Sequence, residues 1–169
     1  MQDRKSPGVE HRLLESMAGT WDADATMVLE QGSQPVQSSA VSENAMIMGG
    51  RYLQFHFTVN GANELFHGMG LLGYDRVSKC YQNFWIDDSN TRMAYIGRGQ
   101  FDEAKQELTL LATIEQPDGG RVELREVYTY LTPNHFVLEM FHDHGEGEYR
   151  SMHIDYTRPA GQPLSPRES

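Results

Sequence analysis

The stretch that decides the fold is Gly19–Leu29, GTWDADATMVL. A glycine and a tryptophan open it, and small or apolar residues (Trp21, Ala23, Ala25, Met27) then alternate with Asp22, Asp24 and Thr26. Alternation with period two sends successive side chains to opposite faces of a β-strand. Just upstream the period is different. Over Val9–Ala18, Val9, Leu13, Leu14 and Met17 fall on one face and Glu10, Arg12 and Glu15 on the other, which predicts a short amphipathic helix stopped by Gly19. Such a helix is expected to lie across one end of whatever the strands build.

Downstream of Trp21 the period-two pattern persists. It predicts ten strands, at about Trp21–Leu29, Val36–Met46, Arg51–Val59, Leu65–Tyr74, Cys80–Ile86, Thr91–Phe101, Glu107–Glu115, Arg121–Leu131, Phe136–His142 and Tyr149–Arg158. Short polar turns separate them, among them the hairpin signal Asn60-Gly61. Nothing between the strands is long enough to be a crossover helix, so they pair antiparallel in chain order. An open meander would leave two exposed edges, and closure into a barrel removes both. The predicted fold class is therefore all-β, an antiparallel up-and-down barrel of about ten strands with a short N-terminal helix. An open two-sheet sandwich is the alternative. Residues 1–8 read as a flexible lead, 9–159 as the single barrel domain, and 160–169 as a flexible Pro- and Ser-rich tail.

Composition narrows the partners. The chain of 169 residues has a formal net charge of −10, so phosphate backbones and anionic membrane surfaces repel it. Neither nucleic acid nor membrane is expected as a partner. Its one cysteine, Cys80, permits no intramolecular disulfide and reads as a half-buried strand thiol. No signal peptide or membrane span is visible, so the expected compartment is the cytoplasm.

The Gly-Xaa-Trp at the start of the first strand, after a short helix, resembles the calycin superfamily, which includes lipocalins, fatty-acid-binding proteins and nitrobindins. That resemblance implies that Trp21 sits in the barrel base and stacks against a basic residue of the last strand, here Arg158 in HIDYTR. Both are then structural closure residues. The runs GTWDADATM, MIMGGRYLQF, FHGMGLLGYDRVSKCYQNFWID, REVYTYL and VLEMF resemble the bacterial domain of unknown function 1579 across Gly19–Pro159. That family implies a calycin-like barrel and no settled activity.

A barrel of this size has room for a small ligand. On the fifth strand Tyr81, Asn83, Trp85 and Asp87 share a face, opposed by Cys80, Gln82, Phe84 and Ile86. On the eighth, Val122, Leu124, Glu126, Tyr128 and Tyr130 share one. Both faces are mixed, so parity leaves the inside undecided. The family resemblance favours Trp85, Asp87, Glu126, Tyr128 and Glu139 as motif positions around a pocket. His56, Trp85, Tyr95 and Tyr128 are the candidate aromatic wall, and Asp87, Glu126 and Glu139 the candidate polar anchors. These acids could also pair with Arg92, Arg98 or Arg125, or face water.

Gly68, Gly70 and Gly73 lack the following helix that a phosphate loop requires. They instead predict a bend or spare volume in the wall. His142 and His144 fall in a turn, where polar residues gather anyway, and no metal site is assigned. No resident cofactor is expected from the residues themselves. Haem enters through the nitrobindin resemblance, which implies a histidine ligand on the last strand. His153 is there, but its parity is opposite to that of Arg158, which points it outward.

The leading expectation is binding of a small apolar or amphipathic molecule inside the barrel. The alternatives are an acid–base isomerase or cyclase that uses the carboxylates, a haem protein, and an interaction protein whose barrel is filled by its own side chains, the nine methionines among them. A homodimer through an outer barrel face is the oligomer to test.

Overall fold

The computed structural model describes residues 6–60, 65–92, 96–116 and 118–161. One short helix, α1 (His11–Ser16), precedes ten strands: β1 (Gly19–Met27), β2 (Val36–Ile47), β3 (Tyr52–Asn60), β4 (Leu65–Asp75), β5 (Cys80–Asp87), β6 (Ile96–Asp102), β7 (Glu107–Glu115), β8 (Arg121–Thr132), β9 (His135–Asp143) and β10 (Tyr149–Thr157). Each strand pairs antiparallel with its neighbour in sequence. β10 then pairs back onto β1, from Asp22 opposite Thr157 to Met27 opposite Met152. The sheet closes, which removes the sandwich alternative and leaves no free edge.

The predicted strands match closely, with small corrections. β1 starts at Gly19 and ends at Met27, two residues earlier at each end than expected. The sixth strand begins at Ile96 within the described residues, not at Thr91, because Arg92 is held in a turn by the Asn90 side chain. The Asn60-Gly61 hairpin signal runs into residues 61–64, outside the described residues, as do residues 1–5 of the expected lead and 162–169 of the expected tail.

The helix is shorter than its pattern predicts. Leu14 and Met17 are buried as expected, but Val9 is 69% exposed. Gly8–Glu10 form a tight turn in which the Gly8 amide donates to His11 Nδ1 at 2.9 Å, so His11 takes the buried place assigned to Val9. Gly19, at φ +116°, turns the chain from helix into strand in a conformation that a residue with a Cβ resists.

α1 covers one end of the barrel. There the Met17 carbonyl accepts from the Trp21 indole N–H and the Asn44 side chain, both at 2.9 Å. The Arg158 guanidinium lies 4.0 Å over the Trp21 ring and donates to the Ser16 carbonyl at 2.9 Å. The expected first-to-last-strand closure is therefore present, and the helix is tied into it. Trp21, Phe136, Tyr156 and Tyr130 continue it as a ring cluster, with Trp21 edge-on to Phe136 at 4.7 Å and Phe136 stacked on Tyr156 at 4.4 Å.

Candidate functional site

The interior is packed unevenly. On the β6–β8 side, Leu108, Leu110, Ala112, Val122 and Leu124 fill the barrel. Against β1–β5 and β9–β10 a cavity of about 540 Å³ remains, walled by Phe55, Phe57, Phe66, Trp85, Leu138 and Ile154, with Met27, Val59, Met140 and Met152 toward the end away from α1. A second depression of about 400 Å³ lies mainly on the outer wall beside α1, with Arg51, Tyr52 and Arg76 on its rim. It is more open than the interior cavity.

Two glycines make the cavity wall. Gly70 is paired with both Phe55 and Trp85, and Gly68 with Phe57 and Asp87. A Cβ on Gly68 would collide with the Trp85 ring, and one on Gly70 with the Phe55 ring. Freed from that collision, the two rings lie over β4 and stack on each other at 5.9 Å. The spare volume predicted at these glycines is occupied by rings that belong to the wall. Asp87 holds the arrangement. Its carboxylate accepts from the Trp85 indole N–H at 2.9 Å and from the Ser89 amide, the Ser89 hydroxyl and the Asn90 amide group.

The floor is polar. Glu126 is 3% exposed and Asn83 4%. The Gly97 amide donates to Asn83 Oδ1 at 2.9 Å, which fixes the side-chain amide and aims its NH2 at Glu126 Oε2, to which it donates. Gly97 permits this because a Cβ there would strike the Asn83 oxygen. The Tyr128 hydroxyl lies beside this pair. Burial, reinforced by Glu126, holds this hydroxyl well above the usual tyrosine range. Tyr156, raised by burial and then by Glu126, closes the group. Both phenols therefore remain protonated donors at ordinary pH. Ser42 and Asn44 hydrogen-bond each other nearby at 2.7 Å. Ser38 also lines the cavity, and its Oγ is buried with no hydrogen-bond partner among the described residues.

Of the sequence candidates, Trp85, Asp87, Glu126 and Tyr128 come together around this cavity. His56 and Glu139 do not. His56 has the parity opposite to Phe55 and Phe57 and stacks on His67 outside the wall. Glu139 lies opposite Val127 on β8 and bonds Arg150 at 2.6 Å and His153 at 3.4 Å, away from the cavity lining. Burial raises its pKa, but those hydrogen bonds outweigh it and leave the carboxyl below its usual value. Tyr95 lies outside the described residues. Arg125 pairs with Glu148 and not with the candidate acids.

His153 faces outward, as its parity predicts, and cannot present a ring nitrogen to a group inside the barrel. At the β9–β10 hairpin His144 stacks on both His142 and Tyr149, and His142 contacts Ser151. Among the described residues no three His, Cys, Asp or Glu side chains converge as a metal site. The sequence reading did not single out Ser38, Phe55, Asn83 or Tyr156. Asn83 carried a signal, an amide in mid-strand on the face of Tyr81 and Trp85. Phe55 and Phe57 could have been placed inside by pairing them with Gly70 and Gly68.

Among the described residues no helix is long and apolar enough to cross a membrane. A search of curated proteins by sequence found no match. Among solved structures, Rv2717c from M. tuberculosis aligns with a TM-score of 0.64 at 11% identity, covering 90% of this chain and 98% of its own. The S-type phycobiliprotein lyase CPES from Guillardia theta aligns with a TM-score of 0.64 at 11% identity, covering 96% of this chain and all of its own. At such identities the likeness concerns the barrel. The model of the family DUF1579, proteins of unknown function, matches residues 6–158, and the chain belongs to that family.

Proposed function

We propose that this barrel binds a small amphipathic molecule, with the polar end on Asn83, Glu126 and Tyr128 and the apolar body against Phe55, Trp85 and the methionines near the mouth. The observation that carries this is the buried polar floor of a largely apolar cavity. Polar groups in a dry core weaken folding unless they are satisfied. A chain that needed only a stable barrel would gain from an apolar filling of the kind packed against β6–β8. The aromatic walls with a few convergent polar groups have the character of a ligand site, and the buried, unpartnered Ser38 hydroxyl supplies a further polar contact.

Native mass spectrometry of freshly purified protein is the test. Extra mass that is lost on denaturation is expected. A clean apo mass, together with no change in Trp85 emission on adding decanol, would contradict the proposal.

A second reading is favoured by one feature. The Tyr128 and Tyr156 hydroxyls are held protonated beside the Glu126 carboxyl, which places potential acids next to a potential base. If the barrel is an acid–base enzyme, Glu126→Gln abolishes turnover while binding survives. If it is a binder, there is no turnover to lose.

A further inference from the structure

We infer that the cavity takes a flat, conjugated ring system, held face-on against Phe55 and Trp85, in preference to a puckered body with the same skeleton. The inference rests on the proposal that the cavity binds a ligand, and it specifies the shape and chemistry of that ligand's apolar part.

Phe55 on β3 and Trp85 on β5 lean from either side over β4, the strand between them. A Cβ on Gly70 would have three Phe55 ring carbons within 3.0 Å, and one on Gly68 three Trp85 ring carbons. A ring met through its edge would bring only two carbons so close. Each ring therefore lies face-down on the β4 backbone. Their planes differ by 27° and their centroids are 5.9 Å apart, close to the spacing of about 6.8 Å between residues two apart on a strand. The stack is thus offset along β4, and the two rings tile that strand as one platform. The Asp87 carboxylate pins it by accepting from the Trp85 indole N–H at 2.9 Å. Leu53 and Leu72, on the neighbouring inward positions, are fully buried, whereas Phe55 and Trp85 are only partly buried and line the cavity. Their open faces are the ones turned away from β4, into the cavity.

β9 lies five strands from β4 in either direction round the ten-stranded barrel, so it forms the facing wall. It contributes Leu138 and Met140 to the cavity, next to Met152 and Ile154 of β10. The space is bounded by a flat aromatic side and by an aliphatic side that carries thioethers. A conjugated ring suits both, through offset stacking on the platform and sulfur–aromatic contact with the methionines. A puckered saturated ring meets a flat surface through its axial hydrogens alone and forfeits most of that contact. Asn83 precedes Trp85 by two residues on the same face of β5, so its side chain stands at one edge of the platform, where a polar ring substituent meets it.

2-Naphthol and decahydro-2-naphthol share a carbon skeleton and a hydroxyl, both are neutral at pH 7, and only the first is flat. Each is titrated calorimetrically into the full chain. 2-Naphthol is expected to bind at least about fivefold tighter, with its ring protons shifted upfield in the NMR spectrum by the platform rings. In Phe55→Leu and in Trp85→Leu that preference is expected to shrink severalfold. The affinity ratio and the upfield shift in the unaltered protein stand whether or not the variants fold. Equal affinities, a missing upfield shift, or a preference undiminished in either folded variant would overturn the inference and leave cavity binding intact. Failure of both compounds to bind would overturn the cavity reading, and this inference with it.

Discussion

Trp21 and Trp85 both occupy inward-facing positions, near opposite ends of the barrel. Trp21 is 1% exposed, edge-on to Phe136, covered by the Arg158 guanidinium, and tied through its indole N–H to the Met17 carbonyl. The protein itself supplies every one of these contacts. Trp85 leans over Gly68, stacks on Phe55 and gives its N–H to Asp87, yet part of its ring borders an open volume. One tryptophan completes a packed core, while the other is the prepared wall of a space that no side chain of the described residues fills. Neighbours decide the difference. Large rings and a helix converge on Trp21, and glycines lie beneath Trp85.

Removing each ring measures that contrast. Trp21→Ala should lose about 3–5 kcal/mol of stability, the range for truncating a buried aromatic. Trp85→Ala should lose markedly less, because one side of the ring already lacks protein contacts. Urea unfolding of the two variants makes the comparison, and equal losses would show that the two ends are equally packed.

Refilling the glycine wall is the next largest effect. Gly70→Val should cost about 1–3 kcal/mol through overpacking against Phe55 and should change Trp85 emission by breaking the stack. A variant with unaltered stability and emission would mean that the glycines do not set the ring positions.

Arg158→Ala should cost about 1–2 kcal/mol, from the cation–π contact and the hydrogen bond to Ser16. Arg158→Lys should recover part of it. Neither change should alter ligand affinity, since Arg158 acts at the closed end.

Alkali tests the tyrosines. Tyr81 is pushed up to about 12, first by burial and then by Glu10, Tyr74 and Glu103, and Tyr128, Tyr130 and Tyr156 are also raised by burial. Near and above pH 10 an unfolded chain releases phenolic protons that the folded chain retains, so stability is full below that pH and falls as pH rises beyond it. Tyrosinate absorbance should therefore appear for the exposed tyrosines first and for the buried group only with unfolding. Smooth titration of all the tyrosines in the folded state would contradict the buried floor.

The fold was legible because its signals are local and repeated. Period-two alternation marks the strands, Gly19-Thr20-Trp21 and Arg158 mark the seam, and short turns exclude crossovers. The site was only partly legible, because the inside of this barrel is not purely apolar. On β5 the outward residues Phe84 and Ile86 are as hydrophobic as the inward Tyr81 and Trp85, so composition cannot tell the faces apart. Glu139 and His56 have the chemistry of site residues and the wrong parity. Cross-strand register would have separated them, since the face of Gly68 and Gly70 also carries Phe55, Phe57, Trp85 and Asp87. Register depends on pairings between strands that no single strand pattern contains.

The most direct test of the central claim uses the two tryptophans against each other. The chain has two, so Trp21→Phe leaves Trp85 as the sole emitter and Trp85→Phe leaves Trp21. Each variant is titrated with ω-bromodecanol, whose bromine quenches an indole only near contact. A ligand cavity at the open end predicts saturable quenching in Trp21→Phe and almost none in Trp85→Phe. Equal quenching in both, or none in either, would contradict it.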